Sequence, residues 1–352
     1  MRILAIESSA DDTAIALLEV KRGKFTILAH EKTSQAKLHE KYGGIYPNLA
    51  KNEHIKNLPK LLKKITARFN LAVGLIAVTT GPGLEPCLWA GITFAEDLAQ
   101  KLGVPLIPVN HMEGHILSVF AHGKQFSISN LQFPILSLLV SGGHTELVLV
   151  KGWGKYKILG RTLDDAVGEA FDKVARMLGL PYPGGPQISA LAEIARKSSD
   201  TPRTHAEIRL PRPMLKHKNF DFSFAGLKTA VYYLTKGKKL TPSKTAELAL
   251  EFENAAIETL TTKTFWALQK HKPKALIVAG GVAANQHLRK EIKKITKNVL
   301  FPSPELATDN AIMIGLAGYW EHLRNPKKKP ARPAGGFKIR AMGSLKLGEM
   351  IK

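Results

Sequence analysis

The chain has 352 residues, 44% hydrophobic and 23% charged, which are ordinary proportions for a folded protein with room for two domains and sizeable cores. Its single cysteine, Cys87, excludes an internal disulfide framework and a cysteine-rich zinc site; no apolar run approaches a membrane span, and Met1-Arg2-Ile3 leads straight into an apolar strand, so the expectation is a cytoplasmic protein without a signal peptide. Fifty-one Lys and Arg against twenty-nine Asp and Glu give +22, an excess that favours polyanions, nucleic acid above all, although a lysine-rich solvated surface gives the same sum and no nucleic-acid-reading module is visible.

Arg2-Ile-Leu-Ala-Ile-Glu7 reads as a buried strand, Ser8 to Thr13 as a polar turn and Ala14 to Val20 as the returning strand, together a hairpin. Asn52 to Phe69 is a basic amphipathic stretch whose Ile55, Leu58, Leu61, Leu62 and Ile65 predict a helix resting on that sheet. Gly74 to Thr80 predicts a strand, Gly81-Pro-Gly83 a tight turn, and the segment around Leu88 to Leu102 a helix. Val104 to Val109 predicts a short buried strand that delivers His111-Met-Glu-Gly-His115. Two histidines four apart share one helical face and can reach one metal ion. The competing reading is two polar helical residues, with Gly114 marking a helix that frays. Glu113 falls two residues after His111, on another side of the helix, so this is not a zinc-protease motif.

Pro134 to Val140, the turn Ser141-Gly-Gly-His-Thr145 and Glu146 to Val150 repeat the opening hairpin. Aligning Ile3 with Ile135 brings the two polar turns nearly into coincidence, which predicts a duplicated unit and a cleft between the copies. Asp164 to Gly179 predicts an amphipathic helix with a glycine stop, Tyr182-Pro-Gly-Gly185-Pro a rigid loop, and Phe220 to Lys228 core packing before a helix. Lys274 to Ala279 is a strand followed by Gly280-Gly and a helix from Asn285, which is either a nucleotide-binding arrangement or simple βα packing. Thr308 or Asp309 suits the cap of the apolar helix Ala311 to Trp320, a role that competes with metal ligation by Asp309. From Arg324 the chain turns poor in apolar residues and rich in Pro, Gly and positive charge, predicting a flexible or extended tail that is either solvated or in contact with RNA.

Taken in order, Glu7-Ser-Ser-Ala-Asp-Asp-Thr13, His111-Met-Glu-Gly-His115, Leu139-Val-Ser-Gly-Gly-His-Thr-Glu146, Gly168-Glu-Ala-Phe-Asp-Lys173, Tyr182-Pro-Gly-Gly-Pro186, Phe222-Ser-Phe-Ala-Gly-Leu-Lys228, Gly280-Gly-Val-Ala-Ala-Asn285 and Thr308-Asp309-Asn310 resemble the TsaD (Gcp or YgjD) family of tRNA N6-adenosine threonylcarbamoyltransferases, from about Met1 to about Tyr319. The resemblance implies an α/β, ASKHA (actin-like ATPase) fold of two duplicated RNase-H-like domains facing a central cleft. Residues 1–130, completed by a helix at about 308–322, would form the first domain, residues 131–307 the second, and 323–352 a basic Pro/Gly-containing tail. It further implies transfer of the threonylcarbamoyl group from threonylcarbamoyl-adenylate to N6 of adenosine 37 in tRNAs reading codons that start with A, with release of AMP. The alternative is a catalytically inactive nucleotide-binding scaffold subunit of the same modification complex. A sugar or acetate-type kinase on this fold would use aspartates and magnesium, not paired histidines.

By the same resemblance, His111, His115 and Asp309 would hold one divalent metal ion per subunit, iron ahead of zinc. Leu139, Val140, Ser141, Gly142 and Gly143 would cradle the phosphate side of the donor. Asp172 and Gly185 would contact the nucleoside, and Asn285 would help to hold the adenylate. Asp12 is the candidate catalytic carboxylate. The implied partners are tRNA, threonylcarbamoyl-adenylate and TsaB-like and TsaE-like accessory proteins, with no membrane. Two positions depart from the family's usual E-T-S-C-D-E-T: Ala10 replaces the cysteine, so a thiol there is not needed, and Asp12 reaches about one methylene less far than glutamate.

Overall fold

The apolar runs at Arg2–Glu7 and Ile135–Val140 become the central strands of two separate sheets in the computed structural model, which describes residues 1–128, 131–197, 208–325 and 339–349. The first sheet comprises β1 (Arg2–Glu7), β2 (Asp12–Lys21), β3 (Lys24–Ser34), β4 (Leu75–Gly81), β5 (Leu106–Asn110) and the edge strand β6 (Gln125–Ser127), ordered β5-β4-β1-β2-β3-β6. The second comprises β7 (Ile135–Val140), β8 (Thr145–Gly152), β9 (Lys155–Arg161), β10 (Ala275–Ala279) and β11 (Val299–Leu300), ordered β11-β10-β7-β8-β9. In both, the first three strands run antiparallel and two more extend parallel from the first, β4 and β5 in one sheet and β10 and β11 in the other, while β6 adds antiparallel to β3. The hairpin register repeats too: Ile3 faces Leu18 and Ile135 faces Val150, at the same separation along the chain. The α/β architecture is therefore a duplicated RNase-H-like unit of the ASKHA type.

Helices sort into layers around these sheets. The outer face of the first sheet is covered by α1 (Pro47–Thr66) and α2 (Glu85–Leu102). Between the sheets lie α3 (His111–Ser118) and, from the far end of the chain, the last long helix. Over the second sheet pack α4 (Val167–Met177), α5 (Gly184–Lys197), α6 (Ala225–Thr235), α7 (Pro242–His271) and α8 (Gln286–Ile295). The last long helix is α9 (Ala311–Arg324), which packs on β1, β2, β4, β5 and α3. One continuous core joins the two sheets, because Ala5 and Leu18 of the first meet Leu139 and Val148 of the second through Met112 and Ile116 of α3 and Ile314 of α9.

Four sequence expectations shift. The helix expected from Asn52 starts at Pro47, whose fixed φ suits a first turn; its buried line is Ala50, His54, Leu58, Leu61 and Ile65, while Ile55 is exposed. Tyr182 to Pro186 is not a free-standing loop, because Gly184 already opens α5. Gly114 does not mark fraying: all of α3 is buried, and a Cβ at Gly114 would meet Met313 and Ile314 at 3.1 Å, so glycine lets α3 and α9 approach closely. Nor is the tail uniformly free. Residues 326–338, its most basic part, lie outside the described residues, but 339–349 pack beside the first sheet, reaching Tyr156 of β9 at Gly348. There Met342 N donates to Thr80 O (2.9 Å), Asn110 Nδ2 donates to Lys346 O (3.1 Å), and Leu345 and Leu347 are buried.

Candidate active site

The apolar strand β5 ends at Asn110, whose Oδ1 accepts from Met112 N (2.9 Å) and Glu113 N (3.3 Å) and so caps α3. This starts the helix at His111 and puts His115 one turn further on the same face, both buried, with ring centroids 4.6 Å apart and nearly perpendicular. The competition for the cap of α9 is won by neither Thr308 nor Asp309. Asn310 Oδ1 accepts from Met313 N (3.0 Å), and Asn310 Nδ2 donates to Leu306 O and Thr308 O. Asp309 is thereby released toward the histidines, with Oδ1 3.3 Å from His111 Nε2 and 3.2 Å from His115 Nε2.

The donor atoms of His111, His115 and Asp309 lie within 4.8 Å of one another. Neither ring nitrogen of His115 makes a well-aligned hydrogen bond among the described residues, although the ring is fully buried. Such an orphan is costly unless a cation completes it. The three donors therefore fit a metal ion bound by two imidazoles and one carboxylate.

Glu7, at the end of β1, supports this group. It is fully buried; Oε1 accepts from Ser9 N (2.6 Å), and Oε2 accepts from Thr79 Oγ1 (2.6 Å) and from His111 Nδ1 (3.1 Å). A proton held on Nδ1 leaves Nε2, the nitrogen facing Asp309, as the electron-pair donor. Burial alone would raise Glu7's pKa and lower that of His111. The pair's attraction outweighs it: Glu7 is held below its usual range, and His111, between Asp309 and Glu7, is pushed up to about 10, so a metal ion at Nε2 has to displace a proton there. Asp309, likewise opposed by burial, is held well below the usual carboxylate range by His111.

Asp12, the candidate catalytic carboxylate, is paired beside the three donors. Its Oδ2 pairs with Lys32 Nζ at 2.6 Å, and the same ammonium donates to Thr308 Oγ1 (3.0 Å) and to Asp309 O (2.8 Å). Lys32 thus pins the loop that carries the third metal donor. Asp11 lies in acidic surroundings. Burial, then the charges of Asp12 and Asp309, push its pKa up to about 7, and Tyr182 Oη donates to its Oδ2 at 3.4 Å.

A cavity of about 990 Å³ adjoins this centre, with Thr308 in its wall one residue from Asp309. Gly142, Asp172, Gly185 and Asn285 line it; Leu139, Val140, Ser141 and Gly143 do not. Leu139 and Val140 are buried in β7. Ser141 is occupied in its own turn, since its N donates to His144 O (2.9 Å), its Oγ accepts from His144 N (3.1 Å) and its O accepts from Gly168 N (3.2 Å). Asp172 Oδ1 accepts from Gly184 N (2.7 Å) at the start of α5. Asn285 Oδ1 caps α8 through Leu288 N (2.8 Å), and its Nδ2 donates to Ser189 Oγ (2.9 Å) and Glu253 Oε1 (2.8 Å). Glu253, almost fully buried on α7 and paired with Arg196 at 2.9 Å, is a cavity residue the sequence did not single out, as Lys32 is beside the three donors. Nothing in the local sequence of these two distinguishes them, whereas Glu7 opens the Glu7 to Thr13 motif but is given no role there.

The family profile described as "tRNA N6-adenosine threonylcarbamoyltransferase" (TsaD) matches residues 26–316. Relatives carrying that name include proteins of Aromatoleum aromaticum, 44% identical over 325 residues that cover 90% of each chain, and of Nitrosospira multiformis, 42% identical over 357 residues that cover 99% of each. A relative so named from Thermosipho africanus is 43% identical and covers 91% of this chain and 94% of its own. Among solved structures, HypF of T. kodakarensis aligns with a TM-score of 0.57 at 15% identity, covering 92% of this chain and 48% of that one, a likeness of fold alone. With the profile spanning most of the sequence and relatives above 40% identity matched almost end to end, the chain belongs to the tRNA N6-adenosine threonylcarbamoyltransferase family.

Proposed function

We propose that this protein transfers the threonylcarbamoyl group of threonylcarbamoyl-adenylate to N6 of adenosine 37 in tRNAs that read codons starting with A, releasing AMP. The observation that carries the reading is a three-donor centre next to a 990 Å³ cavity whose wall includes Thr308, the residue before Asp309, which gives room for a nucleotide beside a metal site. In the reaction the N6 nitrogen attacks the carbamoyl carbonyl carbon, the bond from that carbon to the phosphate oxygen breaks, AMP leaves with the electron pair, and N6 gives up a proton. His111, His115 and Asp309 would hold one divalent ion, iron ahead of zinc by the donor set. When bound, that ion supplies Lewis acidity to the donor's oxygens.

The chain's own groups have distinct parts in this reading. Gly142 brings backbone to the phosphate side of the donor, next to Leu139 and Val140 at the end of β7 and to Ser141 and Gly143 of the turn. Asp172 and Gly185 meet the nucleoside, and Asn285, held by Glu253 and Ser189, shapes the adenylate wall. Asp12, the candidate catalytic carboxylate, is tied through Lys32 to the loop that carries Asp309. The first domain takes residues 1–130 with α9, and the second residues 131–307. The acceptor tRNA places the protein in the cytoplasm, working with TsaB-like and TsaE-like accessory proteins. The test is nucleoside mass spectrometry of unmodified tRNA incubated with the protein, an adenylate-generating system and the accessory proteins. Threonylcarbamoyladenosine is expected with the wild type and not with His111→Ala. An inactive scaffold would leave product formation independent of this chain's His111.

A further inference from the structure

The stretch from Phe222 to Ala246 holds five lysines and no acidic residue. Most of it is α6 and the turn into α7. Helix α6 buries only Leu227 and Val231, against α4 and the core over the second sheet. Its final turn stands clear of the body, with Tyr232, Tyr233 and Leu234 all exposed, Tyr233 at 68%. The two rings touch at 5.6 Å between centroids, and Lys236 Nζ sits 5.5 Å from the Tyr232 ring. Lys236, Lys238 and Lys239 follow directly, all exposed, and none forms an ion pair among the described residues.

A bare solvated face would not expose three consecutive large side chains in ordered helix. A protein-binding face would be poor in lysine, because interface cores exclude it. Aromatic rings beside unpaired cations instead suit a nucleic acid, which stacks unpaired bases on the rings and sets phosphates against the ammonium groups. The place is suitable as well: α6 packs on α4, and α4 carries Gly168, Phe171 and Asp172 into the wall of the 990 Å³ cavity. The helix that carries the patch therefore packs directly on a helix of the cavity wall.

The geometry points to the end of α6 and the α6–α7 turn, Tyr232, Tyr233, Lys236, Lys238 and Lys239, as a docking surface for the tRNA beside its reacting anticodon loop. This inference rests on the transferase reading for the identity of the RNA, but not for the surface itself.

The test is binding of a fluorescently labelled, unmodified tRNA transcript with an anticodon for an A-starting codon, by full-length protein over a salt series. The wild type should bind with strong salt dependence. Combined Lys236→Ala, Lys238→Ala and Lys239→Ala should weaken binding about tenfold or more near 100 mM salt and reduce the slope of log affinity against log salt by roughly 2. Tyr233→Ala should weaken it several-fold with the slope unchanged, and Tyr233→Phe should restore it. Combined Lys51→Ala, Lys60→Ala and Lys63→Ala, which removes the same charge from α1, should have the smaller effect. Unchanged affinity and slope in the α6–α7 triple variant, an equal loss in the α1 variant, or no tRNA binding by the wild type would each overturn the surface. In turnover assays the triple variant should raise the KM for tRNA and leave kcat unchanged. A wild type that binds tRNA through these residues yet yields no threonylcarbamoyladenosine would sink the transferase reading and leave the surface standing.

Discussion

Glu7 shows how much of the candidate metal centre rests on a residue outside its three donors. Its carboxylate takes hydrogen bonds from Ser9 N, Thr79 Oγ1 and His111 Nδ1, so it is rigid and fixes one tautomer of His111. Glu7→Gln keeps the shape and removes the charge. Metal affinity, measured by titration of chelator-treated protein, should fall about 10- to 100-fold while the fold survives; an unchanged affinity would show that the ring needs no such partner. Asp11 allows a pH test. Its folded pKa is raised to about 7, above the ordinary 3.8, because burial and the neighbouring Asp12 and Asp309 disfavour its charge. A carboxyl raised in this way costs nothing below about pH 4, where it is protonated in both states. It destabilises progressively as pH rises and does so fully above about pH 7. Asp11→Asn should therefore melt like the wild type at pH 4 and above it at pH 8, in chelator-treated protein. A constant difference across that range would mean that the substitution acts through packing alone. The resemblance named the candidate donors His111, His115 and Asp309, whose donor atoms lie within 4.8 Å of one another, but not the groups that position them. Local sequence shows three successive residues able to cap a helix, Thr308, Asp309 and Asn310, and only the phase of α9 decides which one does.

At the scale of elements, the strands around both hairpins were legible because each is a continuous apolar run closed by a polar turn. The helices were less so. The long α7 carries its buried Leu248, Phe252, Ala256 and Leu260 among polar residues, and only packing against α5 and the second sheet reveals its inner face. The C-terminal segment is the plainest case. Its Pro, Gly and Lys content reads as solvated, yet residues 339–349 dock because Leu345 and Leu347 find a place beside the Gly81–Gly83 turn and the core, and because Asn110, the cap of the metal helix, donates to Lys346 O. Two leucines in eleven residues are too sparse for any periodic pattern to register. Leu347→Ala should cost roughly 2 kcal/mol or more of stability, read from denaturant unfolding. If the segment also braces α3, metal affinity should fall in the same variant, whereas Leu323→Ala, at an exposed position on α9, should leave both unchanged.

For the molecule as a whole, the duplication that the sequence disclosed through two similar hairpins has a consequence it did not disclose. The copies are not independent beads, because α3 and α9 lie between the sheets and one core takes side chains from both. The metal donors sit within that layer: His111 and His115 on α3, and Asp309 on the loop that enters α9. A ligand bound there stabilises only the state in which all these elements are assembled. At a free metal concentration about 100 times its dissociation constant, the gain is about 2.7 kcal/mol. Calorimetric unfolding should therefore show one transition that rises by a few degrees when metal is added to chelator-treated protein. The combined variant His111→Ala and His115→Ala should lose that rise. A transition that splits, with only one part following the metal, would mean that the two domains unfold separately and that the shared core does not couple them. A single transition that ignores metal would place the binding, if any, outside the layer between the sheets.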